Sequence, residues 1–579
     1  MNANVRFGRF ELRPGTRQLL VDAVPANLGA RAFDVLHALI CRRQRVVAKE
    51  ELLDLVWPAS VVEENNLQVQ ISTLRKLLGP GAIDTIPGHG YRFVAQVDAD
   101  PAGATPDPAT ISLAVLPFVS PVGDGADDYL VDGLTELMIA KLARIPSMRV
   151  IARTSSMVYK RSPKRLREIA AELGVAHVLE GSLRREGSRI QVVVQLIEAR
   201  SETCEWTQAY TRELRQLLEL LGEIARAVVN AVSAQSLPEE ASRSTDPGAP
   251  GDAALEHYLR GRYFWAQRSP DSLHRASREF AACTEAAPDF APAYGGLTDC
   301  QIVLAIYGIE PPLRAQALAS DHLARALALD PNSAEVRTAS GSVRLFFHWD
   351  FAGAEAEFRR ALALNPSYTT TYLAYGDLRM MRGEPDEALR LIHEAVRLSP
   401  FDLGLSMNVG DFLLFSRRFD EAVRQLESTL ERDPGFVAAR VRLAEAHALA
   451  GEADAARAQA QRLLAASPSM PHVREALAFV HAATGAEPEA RTELARMEAE
   501  RAHRYVSAWP LARAYAVMGD ADNATRWVQI GLAERTPMML FAAAHAAFDP
   551  IRADPRFAAM IGAVGVSLPA AGRGTGHQR

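Results

Sequence analysis

The C-terminal half of this 579-residue chain repeats every 34 residues. Five prolines, each following an apolar helical run, mark the period at steps of 35, 34, 34 and 34 residues: Pro331, Pro366, Pro400, Pro434 and Pro468. Three glycines show the same 34-residue spacing: Gly451, Gly485 and Gly519. Gly383 lies two periods before the first of them. A unit of this length is a pair of helices that cannot bury its apolar face alone, so neighbouring pairs must stack into an elongated array.

Small and aromatic residues recur at fixed positions within this period. In the clearest unit these positions hold Tyr372, Tyr375, Gly376, Ala388, Ala395 and Pro400. The unit resembles the tetratricopeptide repeat, in which small side chains let two helices cross closely. We predict about seven or eight repeats over residues 254–566. The resemblance implies a concave groove that binds a protein or peptide partner; the alternative is that the array mediates self-association or shields its neighbour.

Residues 61–93 predict a helix followed by a β-hairpin. Four apolar side chains lie at helical spacing and form one stripe that faces a core: Leu67, Ile71, Leu74 and Leu78. A Gly-Pro-Gly stretch then ends the helix. Two β-prone runs, residues 83–86 and 91–94, flank the turn residues 87–90. This is the pattern of strand, turn and strand.

The other face of this helix carries mainly side-chain amides, hydroxyls and two cations. Its members are Asn65, Asn66, Gln68, Val69, Gln70, Ser72, Thr73, Arg75 and Lys76. Such groups can hydrogen-bond base edges and neutralise phosphates in a DNA major groove. We therefore predict double-stranded DNA as a partner. The alternative is that these side chains only solvate an exposed helix.

Residues 1–97 resemble the winged-helix domain of OmpR/PhoB-type bacterial regulators, including the CadC/ToxR-like branch. Upstream of the helix, the residues predict strands at 5–12 and 18–21 and helices at 32–40 and 49–57. The resemblance is carried by Glu51-Leu52-Leu53 to Val56-Trp57, by Gln70 to Lys76 and by Gly88 to Phe93. It implies an α+β fold whose third helix enters the major groove.

The same resemblance assigns roles to individual residues. Groove-facing positions are Asn66, Val69, Gln70, Thr73 and Arg75. In the wing, Arg92 is expected to reach the minor groove and His89 to touch phosphate. The loop between the second and third helices is a candidate RNA polymerase contact: Trp57, Pro58, Ala59 and Ser60. The chain departs from the family at Asn65 and Thr73, where Arg or Lys is frequent, and at Gln68, where Asp is, so the operator preference stays open.

Residues 111–235 alternate strands and helices and predict a small α/β domain. Strands are expected at 111–118, 148–151, 175–185 and 189–197, and a long helix over 214–232 ends the region. The region resembles the TolB-N-like domain through Leu113–Phe118, Leu173-Gly174-Val175, residues 179–184 and residues 196–199. That family implies an architecture and no settled activity. A basic run at residues 159–167 is predicted to be a solvated turn paired with Glu168 and Glu172, the alternative being an anion or DNA contact.

Charge is distributed unevenly along the chain. Residues 1–97 hold 12 Lys and Arg against 9 Asp and Glu, a net charge of +3, whereas the whole chain carries −6. The basic excess therefore lies in the N-terminal domain that contains the predicted helix and wing. We expect the acidic remainder to repel DNA, which confines DNA contact to the N-terminal domain.

Composition and motifs argue against several other classes of protein. The four cysteines lack metal-ligand spacing, so neither a metal site nor a disulfide framework is expected. No apolar run is long enough to span a bilayer and no signal peptide opens the chain, which predicts a cytoplasmic protein without a membrane partner. Phosphate-loop, HExxH and GxSxG motifs are missing, so we expect neither an enzyme nor a cofactor.

These features predict a multidomain chain. The expected order is a winged helix (1–97), a Pro-rich linker (98–110), an α/β domain (111–235), a second linker (236–253), an all-α repeat solenoid (254–566) and a disordered tail (567–579). Because no receiver domain precedes the winged helix, we expect a one-component transcriptional regulator. Its C-terminal regions would act as sensor, homodimerisation or partner-binding module. The alternative is an interaction scaffold whose winged helix no longer binds DNA specifically.

Overall fold

The structure is a computed structural model that describes residues 5–7, 10–13, 18–21, 24–26, 28–42, 46–56, 64–79, 81–86, 90–95, 111–121, 128–145, 147–232, 250–467 and 470–566. The chain divides into two compact units, Met1–Pro108 and Ala109–Arg579. A small mixed domain forms the first unit. An α/β region followed by a long all-helical array forms the second, so the chain is multidomain, as predicted.

The first unit combines short antiparallel strands, three helices and a two-stranded wing among its described residues. Its elements are β1 (Val5–Phe7), β2 (Phe10–Arg13), β3 (Gln18–Val21), β4 (Val24–Pro25), α1 (Ala30–Cys41), α2 (Lys49–Val56), α3 (Glu64–Leu78), β5 (Ile83–Ile86) and β6 (Gly90–Phe93). The apolar stripe of α3 packs against α1 and α2: Leu67, Ile71 and Leu74 are at most 2% exposed. This burial confirms the predicted orientation of the helix.

The prediction of one strand over residues 5–12 is wrong. The chain instead folds back, and β1 pairs antiparallel with β2 so that Phe7 lies opposite Phe10. Their rings stack with centroids 5.4 Å apart, and Phe7 also meets Phe93 of the wing edge-to-face at 5.1 Å. Alternating apolar residues cannot reveal such a reversal. The chain reverses because this places all three rings in one core.

The α/β region of the second unit contains a five-stranded sheet in the order β11-β10-β9-β7-β8. Its elements are β7 (Ile111–Val115), α4 (Asp128–Ala143), β8 (Met148–Val150), α5 (Arg153–Met157), α6 (Leu166–Leu173), β9 (His177–Glu186), β10 (Arg189–Glu198), β11 (Thr203–Glu213) and α7 (Leu217–Val232). Strand β7 runs parallel to β8 and β9, whereas β9, β10 and β11 pair antiparallel. Helices α4 and α7 share a core with the sheet.

Strand β11 is absent from the sequence-based prediction, which assigned no element to residues 203–213. It is an edge strand, and Tyr210 is its one buried residue. Because its side chains are mostly exposed on both faces, the strand lacks the alternation of apolar and polar residues that identifies half-buried strands.

Eight helix pairs form the array in the described part of the chain. They are α8 (Asp252–Ala266) with α9 (Pro270–Ala286), α10 (Ala291–Ile306) with α11 (Pro312–Leu329), α12 (Ala334–Val343) with α13 (Phe351–Leu364), α14 (Thr369–Met381) with α15 (Pro385–Leu398), α16 (Leu403–Phe415) with α17 (Phe419–Arg432), α18 (Val437–Leu449) with α19 (Ala453–Ala466), α20 (Pro471–Ala483) with α21 (Glu487–Glu500), and α22 (Ala508–Val517) with α23 (Ala521–Ala533). A π-helical turn, Arg344–His348, extends α12. Two 3-10 turns, Pro537–Phe541 and Ala546–Ile551, and α24 (Pro555–Val564) follow the last pair.

Glycine recurs every 34 residues because the backbone at these positions adopts a left-handed conformation. Gly383, Gly451, Gly485 and Gly519 lie between the two helices of their pairs with φ of 75°, 82°, 78° and 77°. Glycine adopts this left-handed conformation without strain. The two remaining positions of the 34-residue series, Trp349 and Arg417, have φ of 60° and 61° although they carry side chains.

The α/β region and the first repeats share one hydrophobic core. A Cβ added to Gly133 of α4 would lie 2.6 Å from Leu259 of α8, so these helices are in close contact. Farther along the array, the Phe401 backbone N–H donates to Ser155 Oγ of α5 at 2.7 Å. These contacts make the second unit continuous. The division at residues 236–253 into separate domains stays a prediction.

None of the helices in the described ranges has both the length and the apolar composition needed to cross a lipid bilayer.

Where two helices of the array cross closely, adding a single methyl group to a glycine should destabilise the array. A Cβ at Gly376 would lie 2.6 Å from the buried ring of Phe412, so Gly376→Ala should destabilise the array by about 1–3 kcal/mol through overpacking. The matched control is Gly562→Ala, where no atom lies within 4 Å and a helical alanine is favoured over glycine. Thermal unfolding followed by circular dichroism measures both. Equal midpoints for the two variants would contradict this packing.

Candidate nucleic-acid interface

The exposed face of α3 carries the predicted base-reading residues. Six of them are exposed in the structure: Asn66, Gln68, Val69, Ser72, Thr73 and Lys76. Gln70 and Arg75 are partly buried. Asn65 lies within α3, but its side chain is outside what the structure describes. Val69 is 53% exposed.

Arg75 joins the helix to the wing. Its guanidinium donates to the carbonyl oxygen of Ile83 from Nε at 3.0 Å and from Nη2 at 2.7 Å. Nη2 also donates to Thr85 Oγ1 at 2.8 Å. These bonds attach α3 to β5, the first strand of the wing. In this arrangement Arg75 positions the wing, a role that the sequence did not indicate.

The wing is anchored on its other side by backbone contacts. The Tyr91 N–H donates to the carbonyl oxygen of Val47 at 3.0 Å, and the Val47 N–H donates to that of Tyr91 at 2.8 Å. Gly90 is required at this approach, because a Cβ there would lie 2.1 Å from the Val47 oxygen. The hairpin is therefore clamped between α3 and the segment that precedes α2.

Arg92 is exposed on the second wing strand, as the predicted minor-groove contact requires. It lies opposite Asp84, and its Nη2 is 3.8 Å from an Asp84 carboxylate oxygen. Both side chains are roughly half exposed, so this surface ion pair is weak and can open. His89 and the candidate polymerase loop, Trp57, Pro58, Ala59 and Ser60, lie outside the described residues.

A shallow concavity of about 380 Å³ lies between α3 and the wing. It is lined by Gln68, Ile71, Ser72, Arg75, Lys76 and Tyr91. The lining offers an amide, a hydroxyl and a free ammonium beside the guanidinium of Arg75. These groups can donate hydrogen bonds to phosphate oxygens or base edges.

The basic run of the α/β region, residues 159–167, is partly paired within the fold. Lys160 Nζ lies 2.7 Å from Asp132 and 3.5 Å from Asp128, and Lys164 pairs with Glu172 at 2.7 Å. Its two lysines are thus neutralised within the fold. Among the described residues, no group of three His, Cys, Asp or Glu side chains is arranged to hold a metal ion.

Comparison with known proteins identifies both modules. The family described as "Transcriptional regulatory protein, C terminal" matches residues 24–93, and the tetratricopeptide repeat family matches residues 346–402 and 410–471. The chain carries an OmpR/PhoB-type winged helix followed by tetratricopeptide repeats.

Three relatives illustrate the range of similarity. Transcriptional regulator HilA of Salmonella typhi is 26% identical over 390 residues, which cover 66% of this chain and 68% of HilA. Phosphate regulon transcriptional regulatory protein PhoB of Escherichia coli is 37% identical over 87 residues, which cover 14% of this chain and 38% of PhoB. Putative adenylate cyclase 3 of Rhizobium meliloti is 34% identical over 191 residues, or 33% of this chain. The match spans 32% of that protein's length.

The contacts of Arg75 predict a local structural effect. Arg75→Ala removes hydrogen bonds from a charged donor to β5 and should lower the local stability of the wing by about 1–3 kcal/mol. Hydrogen exchange in the full-length protein should then be faster at the amides of β5 and β6. Lys76→Ala, one residue along and exposed, is the matched control and should leave wing exchange unchanged. Unchanged wing exchange in Arg75→Ala would show that these bonds do not hold the wing.

Proposed function

We propose that this protein is a one-component transcriptional regulator that binds promoter DNA through α3 and the wing. One observation carries the proposal: amide, hydroxyl and cationic side chains form a continuous exposed face on α3, directly beside the wing. The matched family and the transcriptional regulators HilA and PhoB among its relatives support this assignment.

The exposed residues suggest how sequence would be read. Asn66 and Gln68 carry amides of the kind that bind adenine through two hydrogen bonds, and Val69 offers methyl groups for contact with thymine. Lys76 and Arg92 would neutralise phosphates or enter the minor groove. Arg75 would contribute mainly by holding the wing at a fixed distance from α3. In this proposal Asn66, Gln68 and Val69 determine which sequence is bound, and the cations determine how tightly any DNA is bound.

The second unit is proposed to supply regulation. Because the α/β region and the repeats share a core, an event on the array can reach the α/β region without crossing a flexible joint. We propose that this unit senses a partner protein, or brings two copies together on adjacent half-sites. Residues 57–60 are the proposed contact with RNA polymerase. A promoter-binding role places the protein in the cytoplasm.

Selection of bound duplexes from a random library tests the proposal. Full-length protein at a stated salt concentration should enrich one defined motif. Enrichment of no motif would overturn specific DNA binding and favour a scaffold that acts through its repeats. The Arg75→Ala/Arg92→Ala double variant should lose the motif while retaining the fold of the array.

Two single variants should separate phosphate contact from base reading. Lys76→Ala should keep the motif, weaken binding to all sequences alike, and reduce the slope of log affinity against log salt by about one. Gln68→Ala should change the preferred base at one or two positions and leave the slope unchanged. Fluorescence anisotropy over a salt series, with the selected duplex and single-base variants, measures both effects. A changed motif in Lys76→Ala would contradict these assigned roles.

A further inference from the structure

The chain turns back into its own repeat array after α23. Residues 535–552, here named the C-terminal segment, contain two 3-10 turns. The first turn contacts α10, α14 and the π-helical turn that follows α12, and the second contacts α22. These helices are the first members of pairs two, four, three and eight. One short segment can reach so many pairs only where the first helices converge, on a concave inner face.

The ends of this inner face approach each other. A Cβ added to Gly308, just beyond α10, would lie 3.1 Å from the Cβ of Ser507, just before α22. The second pair thus meets the eighth pair. The groove between them encloses the C-terminal segment, and Leu540, Phe541 and Phe548 are at most 3% exposed.

Aromatic rings from three different pairs hold the middle of the segment. Phe541 stacks on Phe415 with ring centroids 4.8 Å apart and an interplanar angle of 13°. The ring of His545 meets Phe415, Phe479 and Trp509 edge-on at 5.6, 6.2 and 5.5 Å. Burial and the nearby Arg513 lower the pKa of His545 to about 3, so its ring is neutral in the groove. The contacts are those of a bound peptide with aromatic anchors.

Trp349 and Arg417, which lie in turns between the helices of their pairs, contact the two ends of the segment. Trp349 and Arg417 occupy the series in which the other four members are glycine. The guanidinium of Arg535 lies 3.7 Å from the ring centroid of Trp349. Arg417 forms a two-pronged ion pair with Asp549. A side chain in this backbone conformation is strained, and strain of this kind gathers at sites that clamp ligands.

We infer that the chain's own C-terminal segment is an exchangeable internal ligand of the inner face of the array and keeps that face closed to partner segments. A partner segment that replaces it would carry the same three features in the same order. These are a cation for Trp349, an aromatic ring for Phe415 and a carboxylate for Arg417, spaced as Arg535, Phe541 and Asp549 are. The inference deepens the partner-binding role proposed for the second unit, on which it rests, and does not depend on DNA binding.

The outer ion pair is where exchange of occupants can begin. The side chains of Arg417 and Asp549 are 38% and 41% exposed, whereas the rings of Phe541 and Phe548 are buried. Attachment within one chain gives the segment an effective concentration on the order of millimolar. A peptide added from outside therefore competes poorly until the internal occupant is weakened.

The test uses full-length protein and a fluorescein-labelled peptide of residues 534–553. Asp549→Ala and Arg417→Gly each remove the ion pair between these two residues. Asp549→Ala also removes the ion pair of Asp549 with Arg552, and Arg417→Gly restores the glycine of the series. Only Asp549→Ala leaves Arg417 available to the peptide. We expect Asp549→Ala to bind the peptide at least about tenfold more tightly than wild type or Arg417→Gly, a difference of about 1.4 kcal/mol. Fluorescence anisotropy measures binding. A peptide with alanine at position 549 should bind Asp549→Ala no more tightly than it binds wild type.

Hydrogen exchange provides the second readout. Both variants should exchange faster than wild type at residues 535–552. Asp522→Ala is the control, because it removes a surface ion pair with Arg556 that lies outside the segment. A segment that stays as protected in both variants as in wild type would overturn the inference, as would equal peptide binding by wild type and Asp549→Ala. Either result would make residues 535–552 a permanent part of the core.

Discussion

A helix pair of 34 residues cannot bury its own apolar face, and the architecture of the second unit depends on this constraint. Each pair is completed by its neighbours, and the α/β region completes the first pair through a shared core. Stacking with a small rotation per pair generates a concave inner face. That face carries the rings of Phe415 and Trp509 beside the buried ion pair of Arg513 with Glu445, and it is not left open to water. The chain covers it with its own residues 535–552.

In the first unit, the corresponding requirement is a fixed distance between helix and wing. Arg75 supplies it by donating to the Ile83 carbonyl and to Thr85, while the backbone of Tyr91 pairs with Val47 on the other side. A rigid wing keeps the exposed face of α3 and Arg92 in one arrangement. Preorganisation of this kind reduces the entropy lost on binding. Arg75, one of the positions predicted to face the groove, is thus occupied in holding the helix and the wing together.

The turns between paired helices keep the same left-handed backbone conformation even where the residue is not glycine. Glycine fills four positions of the left-handed series, and side chains fill the other two. Those two, Trp349 and Arg417, contact the C-terminal segment. A departure from a repeat consensus is informative when the backbone conformation stays the same and only the residue type changes. Here the retained conformation costs free energy, which the contacts of the side chains offset.

Periodicity and apolar spacing in the sequence determined the three-part architecture, the helix pairs and the buried stripe of α3, because these depend on local repetition. Tertiary structure alone decided the rest. The reversal between Phe7 and Phe10, the edge strand at residues 203–213 and the bonds of Arg75 depend on partners distant in sequence. So does the pairing of Arg417 with Asp549, which lie 132 residues apart. A linear pattern records which face of an element is apolar; only the folded chain determines what covers that face.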